Sequence, residues 1–196
     1  MKFIEWSRRS FIKASASVTA GIGLGFGLVG CSNNRQNAHL RYLTPDEESL
    51  LDALTSQIIP TDEDPGAHEA NVVNFIDKQL VFHYKNQQDF YRVNLSKLQQ
   101  TCRGARKAVF ESLPSEEQIA FMEAMEMGEL PTENWTAEEQ AAFFRTLVSH
   151  SMQGFYGSPR HGGNKDYVSY RMLGLAYPDI IGQNRYRNLN WRVYPD

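Results

Sequence analysis

The chain has 196 residues, with 20 Lys/Arg against 23 Asp/Glu, a net charge of −3 and two cysteines; its mean hydropathy is −0.48. That length supplies one ordinary domain with room for a real core. The acidic balance argues against nucleic-acid binding, and two cysteines are too few for an iron–sulfur ligand set.

The first thirty residues stand apart. A positive start (Lys2, Arg8, Arg9, Lys13) precedes an uncharged run over residues 14–30 that is rich in Gly and Ala. As a helix those seventeen residues cover roughly 25 Å, short of the roughly 30 Å of a bilayer core. Gly21, Gly23, Gly25, Gly27 and Gly30 each cost such a helix about 1 kcal/mol relative to Ala. The stretch therefore predicts a signal peptide rather than a permanent span. "SRRSFIK" (7–13), with Arg8, Arg9 and Phe11, resembles the twin-arginine export signal; the alternative is a chance Arg pair in a general secretory signal. "LVGC" (28–31) looks like a bacterial lipobox, in which Cys31 is acylated and becomes the new N-terminus. Several acyl chains on one residue give stable anchoring. An ordinary cleavage site beside a bystander cysteine is the alternative. The expected organisation is a leader at 1–30, a polar tether at 31–41 and a domain at 42–196.

Without residues 1–30 the chain retains 166 residues, 16 Lys/Arg and 22 Asp/Glu, a net charge near −6. Lipidation of Cys31 would leave Cys102 as the single thiol, so no internal disulfide could form. Cys102 falls in an apolar helical pattern, which predicts a buried small hydrophobe.

The elements that follow are helical. In "TPDEESLLDALTSQIIP", Thr44 is a candidate N-cap, Pro45 takes the first helical position and Glu47 completes a capping box. Leu50, Leu51, Leu54 and Ile58 share a face, and Pro60 stops the helix. "TDEDPGAHEANVV" reads as a turn-rich connector. A second helix is expected over roughly 69–83, with Val72, Phe75, Ile76, Leu80 and Phe82 inward. The third and longest carries Tyr91, Leu95, Leu98, Cys102, Ala105 and Val109 as a narrow seam. Ser115 with Gln118 predicts a cap for a fourth helix containing Ile119, Met122 and Met125, ended by Gly128. Thr136 with Glu139 caps a fifth, followed by Phe143, Phe144, Leu147, Val148 and Met152. After Ser151 the periodicity fades, apart from a short helix around 167–175. No segment sustains a two-residue alternation, so the reading is an all-α domain of five to six helices with a loop-rich C-terminal third.

Motifs for chemistry are few. There is no C-x-x-C-H haem site, P-loop, G-x-G-x-x-G after a strand, or G-x-S-x-G. The histidines (His39, His68, His83, His150, His161) show no i, i+4 pair, so no helical metal site is announced; His68 with Glu69, or His150 with His161, would have to meet in space. The acidic pairs Glu47–Glu48, Glu116–Glu117 and Glu138–Glu139 sit in first turns, where they complement the helix dipole. These residues assign no catalytic, cofactor-binding or metal site to the chain. "HSMQGFYGSPRHGGN" (150–164) is less easily read as scaffold. Gly154, Gly157, Gly162 and Gly163 permit close backbone approach or positive φ. Phe155, Tyr156, Pro159, Arg160, His161 and Asn164 bring the aromatic and Arg character of protein–protein hot spots. The alternative is a helix-ending loop folded back onto the core.

"LLDALTSQIIPTDEDPGAHEANVVNFIDKQL" (50–80), "QGFYGSPRHGGN" (153–164) and "LGLAYP" (173–178), together with the twin-arginine leader, resemble the gluconate 2-dehydrogenase subunit 3 family over about residues 42–180. The resemblance implies a non-catalytic small subunit of a membrane-bound sugar or sugar-acid dehydrogenase. FAD would sit on a large partner subunit, electrons would often pass to a cytochrome c subunit, and the leader would export the folded pair by the Tat route to the periplasmic face. Ala176 departs from the family's Gly before Tyr-Pro. On this reading the partner interface comprises Gly154, Phe155, Tyr156, Gly157, Pro159, Arg160, His161, Gly162, Gly163 and Asn164 with Tyr177 and Pro178. The rival readings are a small exported enzyme using a metal or thiol with His150 and His161, and a standalone lipoprotein with a structural or binding role.

Overall fold

A computed structural model describes residues 40–131, 133, 135–175, 180–181 and 185–186. Arg8, Arg9, Phe11, Cys31, Tyr177 and Pro178 lie outside the described residues. Six α-helices follow one another: α1 (Pro45–Ile58), α2 (Val72–Leu80), α3 (Gln88–Arg106), α4 (Ser115–Met127), α5 (Ala137–Tyr156) and α6 (Val168–Met172). The extended structure among the described residues is one antiparallel pairing of Ile180–Ile181 with Arg185–Tyr186. The fold is all-α, as the periodicity predicts.

Two helices start where the sequence places capping boxes. Thr44 Oγ1 accepts from the Glu47 N–H at 3.3 Å, and Glu47 Oε2 accepts from the Thr44 N–H at 2.8 Å. Thr136 and Glu139 repeat the arrangement at α5, at 3.3 and 3.0 Å. Each pairing satisfies two amides that a helix start otherwise leaves open, worth about 1 kcal/mol. Gly128, at φ 71°, ends α4.

Four expectations need correction. Ser115 and Gln118 form no capping box; Pro114 is the N-cap of α4 and lends no side chain. Gln118 is buried, and its Nε2 donates to the Phe110 and Leu113 carbonyls at 3.1 Å, pinning the turn before α4. The seam of α3 is buried from Tyr91 through Cys102, but Lys107 turns left-handed at φ 58° and ends it, so Ala105 is exposed and Val109 lies beyond the helix. α2 spans only Val72–Leu80: Asn71 enters it at φ 58°, and the chain leaves the helical path before Phe82, which is 64% exposed. Met152 faces outward at the end of α5.

α5 is the central element and packs against each of the other five helices. Leu50, Leu51, Leu54, Ile76, Tyr91, Leu98, Phe143, Leu147 and Phe155 meet in one core; burying each contributes about 1.5–3 kcal/mol. Around that core, buried polar side chains hold backbone in place. Asp77 accepts from the Arg41, Tyr42 and Leu43 amides at 2.8, 2.9 and 2.9 Å. Gln140 accepts from Leu130 N–H and donates to the Leu130 and Trp135 carbonyls. The Trp135 indole, fully buried, donates to Asn94 Oδ1 at 2.9 Å. Among the described residues no helix is long and apolar enough to cross a membrane.

Candidate functional site

The segment after the third turn from the end of α5 is built on two glycines. A Cβ on Gly154 would stand 3.0 Å from Phe75 and 3.2 Å from Val72, so its absence lets α5 lie directly on α2. A Cβ on Gly163 would come within 2.1 Å of the Gly154 carbonyl oxygen. The returning loop therefore touches α5 backbone to backbone. Phe155 is fully buried beside Gly154, its ring edge-on to Tyr156 at 4.8 Å. α5 ends at Tyr156, and Gly157 N–H closes the last turn on Gln153 O at 2.9 Å.

A 3-10 turn over Pro159–His161 follows. Gly162 takes φ 105°, and Asn164, Asp166 and Tyr167 all adopt positive φ. So many left-handed residues in six positions hold only because the surroundings dictate them. Three side chains of α2 supply that constraint. Lys78 Nζ donates to Arg160 O at 2.8 Å, Gln79 Nε2 to His161 O at 3.3 Å, and Asn74 Nδ2 to Gly162 O at 2.7 Å. Three successive carbonyls are thus turned onto one helix. Asn164, itself fully buried, ties the far end: its Nδ2 donates to Gly157 O at 2.9 Å and its Oδ1 accepts from Ser169 N–H at 3.0 Å. Lys165 N–H reaches Ala70 O at 3.1 Å.

This placement divides the expected interface residues. Gly154, Phe155, Gly163 and Asn164 are interior, where Gly154 and Gly163 set the close approach of α2, α5 and the loop. Arg160 is exposed, and Tyr156, Gly157, Pro159, His161 and Gly162 are half-buried. The Arg160 Nε–H donates to His161 Nε2 at 3.0 Å. That bond requires a neutral imidazole. Burial, and the charges of Arg160, Lys78 and His83, hold the His161 pKa below its ordinary value.

Among the described residues, His150 and His68 take separate partners. His150 is stacked on Tyr84 with ring centroids 4.0 Å apart, and its Nδ1 shares a 2.7 Å hydrogen bond with the buried Tyr91 hydroxyl. Burial pushes its pKa down to about 4. His68 pairs with Asp52 at 3.0 Å, and its pKa is raised chiefly by that hydrogen bond and the adjacent carboxylate. Glu69 instead accepts from Thr61 Oγ1 and Gly66 N–H. Among the described residues no cluster of three His, Cys, Asp or Glu is placed to hold a metal. Cys102 is buried in the core, and burial pushes its thiol pKa up, the reverse of what a nucleophile needs. Sequence reading missed the clamp on α2. Its signal was present in Asn74, Asp77, Lys78 and Gln79, a polar set too dense for a nine-residue helix that buries seven positions.

Compared with known families, the chain matches the model described as gluconate 2-dehydrogenase subunit 3 over residues 45–176. No curated protein and no solved structure matches it.

Proposed function

Because the chain belongs to the gluconate 2-dehydrogenase subunit 3 family and is an accessory subunit by that membership, we propose that it binds, stabilises and carries across the membrane a large FAD-dependent sugar or sugar-acid dehydrogenase subunit. The observation that carries this reading is the family match over residues 45–176, which takes in α1 through α6 and the whole clamped loop. Export uses the twin-arginine pair Arg8 and Arg9 with Phe11, and Cys31 takes the lipid that retains the complex at the periplasmic face. FAD and the substrate site belong to the partner, and a cytochrome c subunit receives the electrons. Docking uses the exposed rim of the loop, from Tyr156 to Gly162, with Tyr177 and Pro178.

A rigid, preformed loop suits this role. Ordering a flexible segment on binding costs about 0.5–1.5 kcal/mol per immobilised side chain, and the clamps from Lys78, Gln79, Asn74 and Asn164 have ordered this backbone in advance. The test is compartment analysis of the dehydrogenase in cells that make this chain with Arg8→Lys and Arg9→Lys together. Dehydrogenase activity should stay in the cytoplasm with the double variant and appear outside it with the wild type. Equal periplasmic activity in both would refute co-export.

A further inference from the structure

The loop's outer face carries a charge arrangement that the docking role does not by itself require. Once residues 1–30 are removed the chain is acidic, yet Lys78, His83, Arg160 and His161 stand close enough to bias one imidazole. Lys78 is committed to a backbone carbonyl. Arg160 has no carboxylate within ion-pair distance among the described residues, although five other basic side chains do. Its Nε–H is closed off by His161 Nε2. A guanidinium offers five N–H donors in a fixed plane. With Nε occupied, the edge left to solvent is the pair of terminal nitrogens, the fork that takes a carboxylate through two parallel hydrogen bonds. His161 fixes the direction of that fork, and the clamp of Lys78, Gln79 and Asn74 on three consecutive carbonyls fixes the backbone beneath it.

We propose that Arg160, aimed by His161, is a receptor for one carboxylate, and that its occupant is an aspartate or glutamate on the dehydrogenase subunit. The inference rests on the docking reading above and specifies its chemistry. An anionic lipid headgroup is the less fitting ligand, since membrane-surface recognition draws on about four to eight clustered Lys/Arg, and beside Arg160 the Lys78 ammonium already donates to a backbone carbonyl. His161 acts as a positioning residue, because its lone pair, rather than a charge, does the work.

The experiment uses the full complex, re-formed from the lipidated chain and the FAD-bearing subunit that co-purifies with it. Dissociation constants are measured at low and high salt for the wild type and for Arg160→Gln, Arg160→Lys, His161→Leu, His161→Gln and Tyr156→Ala. Arg160→Gln should weaken binding about tenfold or more at low salt and flatten the salt dependence. Arg160→Lys should restore only part, since an ammonium cannot fork. His161→Leu should fall between wild type and Arg160→Gln, and His161→Gln, which keeps an acceptor, should recover. Carbodiimide treatment of the Arg160→Lys complex should then join position 160 to an Asp or Glu of the partner, read by mass spectrometry. An unchanged dissociation constant and salt slope for Arg160→Gln overturns the inference. If Tyr156→Ala still disrupts the complex in that case, the docking reading survives without the ion pair; if neither variant matters, the docking surface itself is misplaced. Loss of binding to vesicles of anionic phospholipid, with enzyme binding intact, would equally overturn the carboxylate assignment.

Discussion

His150 should make the stability of this domain fall with acidity, by an amount that follows from its surroundings. The ring is 5% exposed, lies flat against Tyr84 with planes 2° apart and shares a hydrogen bond with Tyr91. A charged imidazolium there would lose its hydration with no carboxylate in return, so burial lowers the pKa from 6.5 to about 4. An unfolded chain takes up the proton near its ordinary value. Between the two values the unfolded state holds more protons than the folded one, and stability is lost as pH drops below about 6.5, with the loss complete below about 4. Integrating the two titrations from about pH 8 to about pH 5 gives a loss of about 2 kcal/mol.

The assay is urea unfolding of the mature chain at both pH values, for the wild type and for His150→Gln. The variant removes the titrating ring and retains a group that can bond Tyr91. His68, raised by Asp52, contributes stability below its ordinary pKa that is lost as pH rises through the folded one. His161, lowered, acts in the same sense as His150. Both are present in each protein and cancel in the comparison. The pH-dependent loss should be about 2 kcal/mol smaller in the variant. Identical pH dependence in the two proteins would show that His150 charges freely in the folded state.

Three further substitutions probe the scaffold. Asp77→Asn replaces one carboxylate oxygen with N–H groups facing the Arg41, Tyr42 and Leu43 amides; we expect a loss of about 2–3 kcal/mol in denaturant unfolding, and a near-neutral result would mean the 41–43 segment contributes nothing to folding. Trp135→Phe strips Asn94 Oδ1 of its buried donor and should cost about 1–3 kcal/mol, with Asn94→Leu on that background recovering part of it. Gly163→Ala forces a methyl against the Gly154 carbonyl; hydrogen exchange should accelerate at the Lys165 amide, which bonds Ala70 O, while the α3 core amides stay protected.

Helix existence and core faces were legible because periodicity and capping are local. Thr44–Glu47 and Thr136–Glu139 needed only four consecutive residues each to be recognised, and both boxes form. Gln118 was misread because an acceptor three residues after a serine looks the same in sequence whether it reaches back to a cap or inward to Phe110 O and Leu113 O. Val109 and Phe82 were misplaced because the helices stop at left-handed or irregular turns, and Lys107 at φ 58° carries none of the glycine signal that announced Gly128. In the candidate site, composition singled out a segment and could not sort its exposed members from its buried ones. Whether Phe155 faces a partner or the core depends on α2, some eighty residues earlier in the chain, and on the glycine contact that brings α2 close.

That sorting bears on what kind of molecule this is. Buried polar groups are costly unless bonded, and here Asp77, Gln79, Asn94, Gln118, Gln140 and Asn164 are each engaged with backbone or with another scaffold side chain; Ser151 and Ser169 carry the buried hydroxyls with no partner among the described residues. The tyrosine–histidine stack follows the same logic, since a histidine driven toward neutrality by burial and bonded to a tyrosine whose own ionisation is suppressed has no charge to contribute at neutral pH. Interior polarity is therefore used to fix the path of the chain. Outside that interior, Arg160 is exposed on a backbone clamped in three places. For an accessory subunit, that distribution gives a defined surface held by a hydrogen-bonded polar interior.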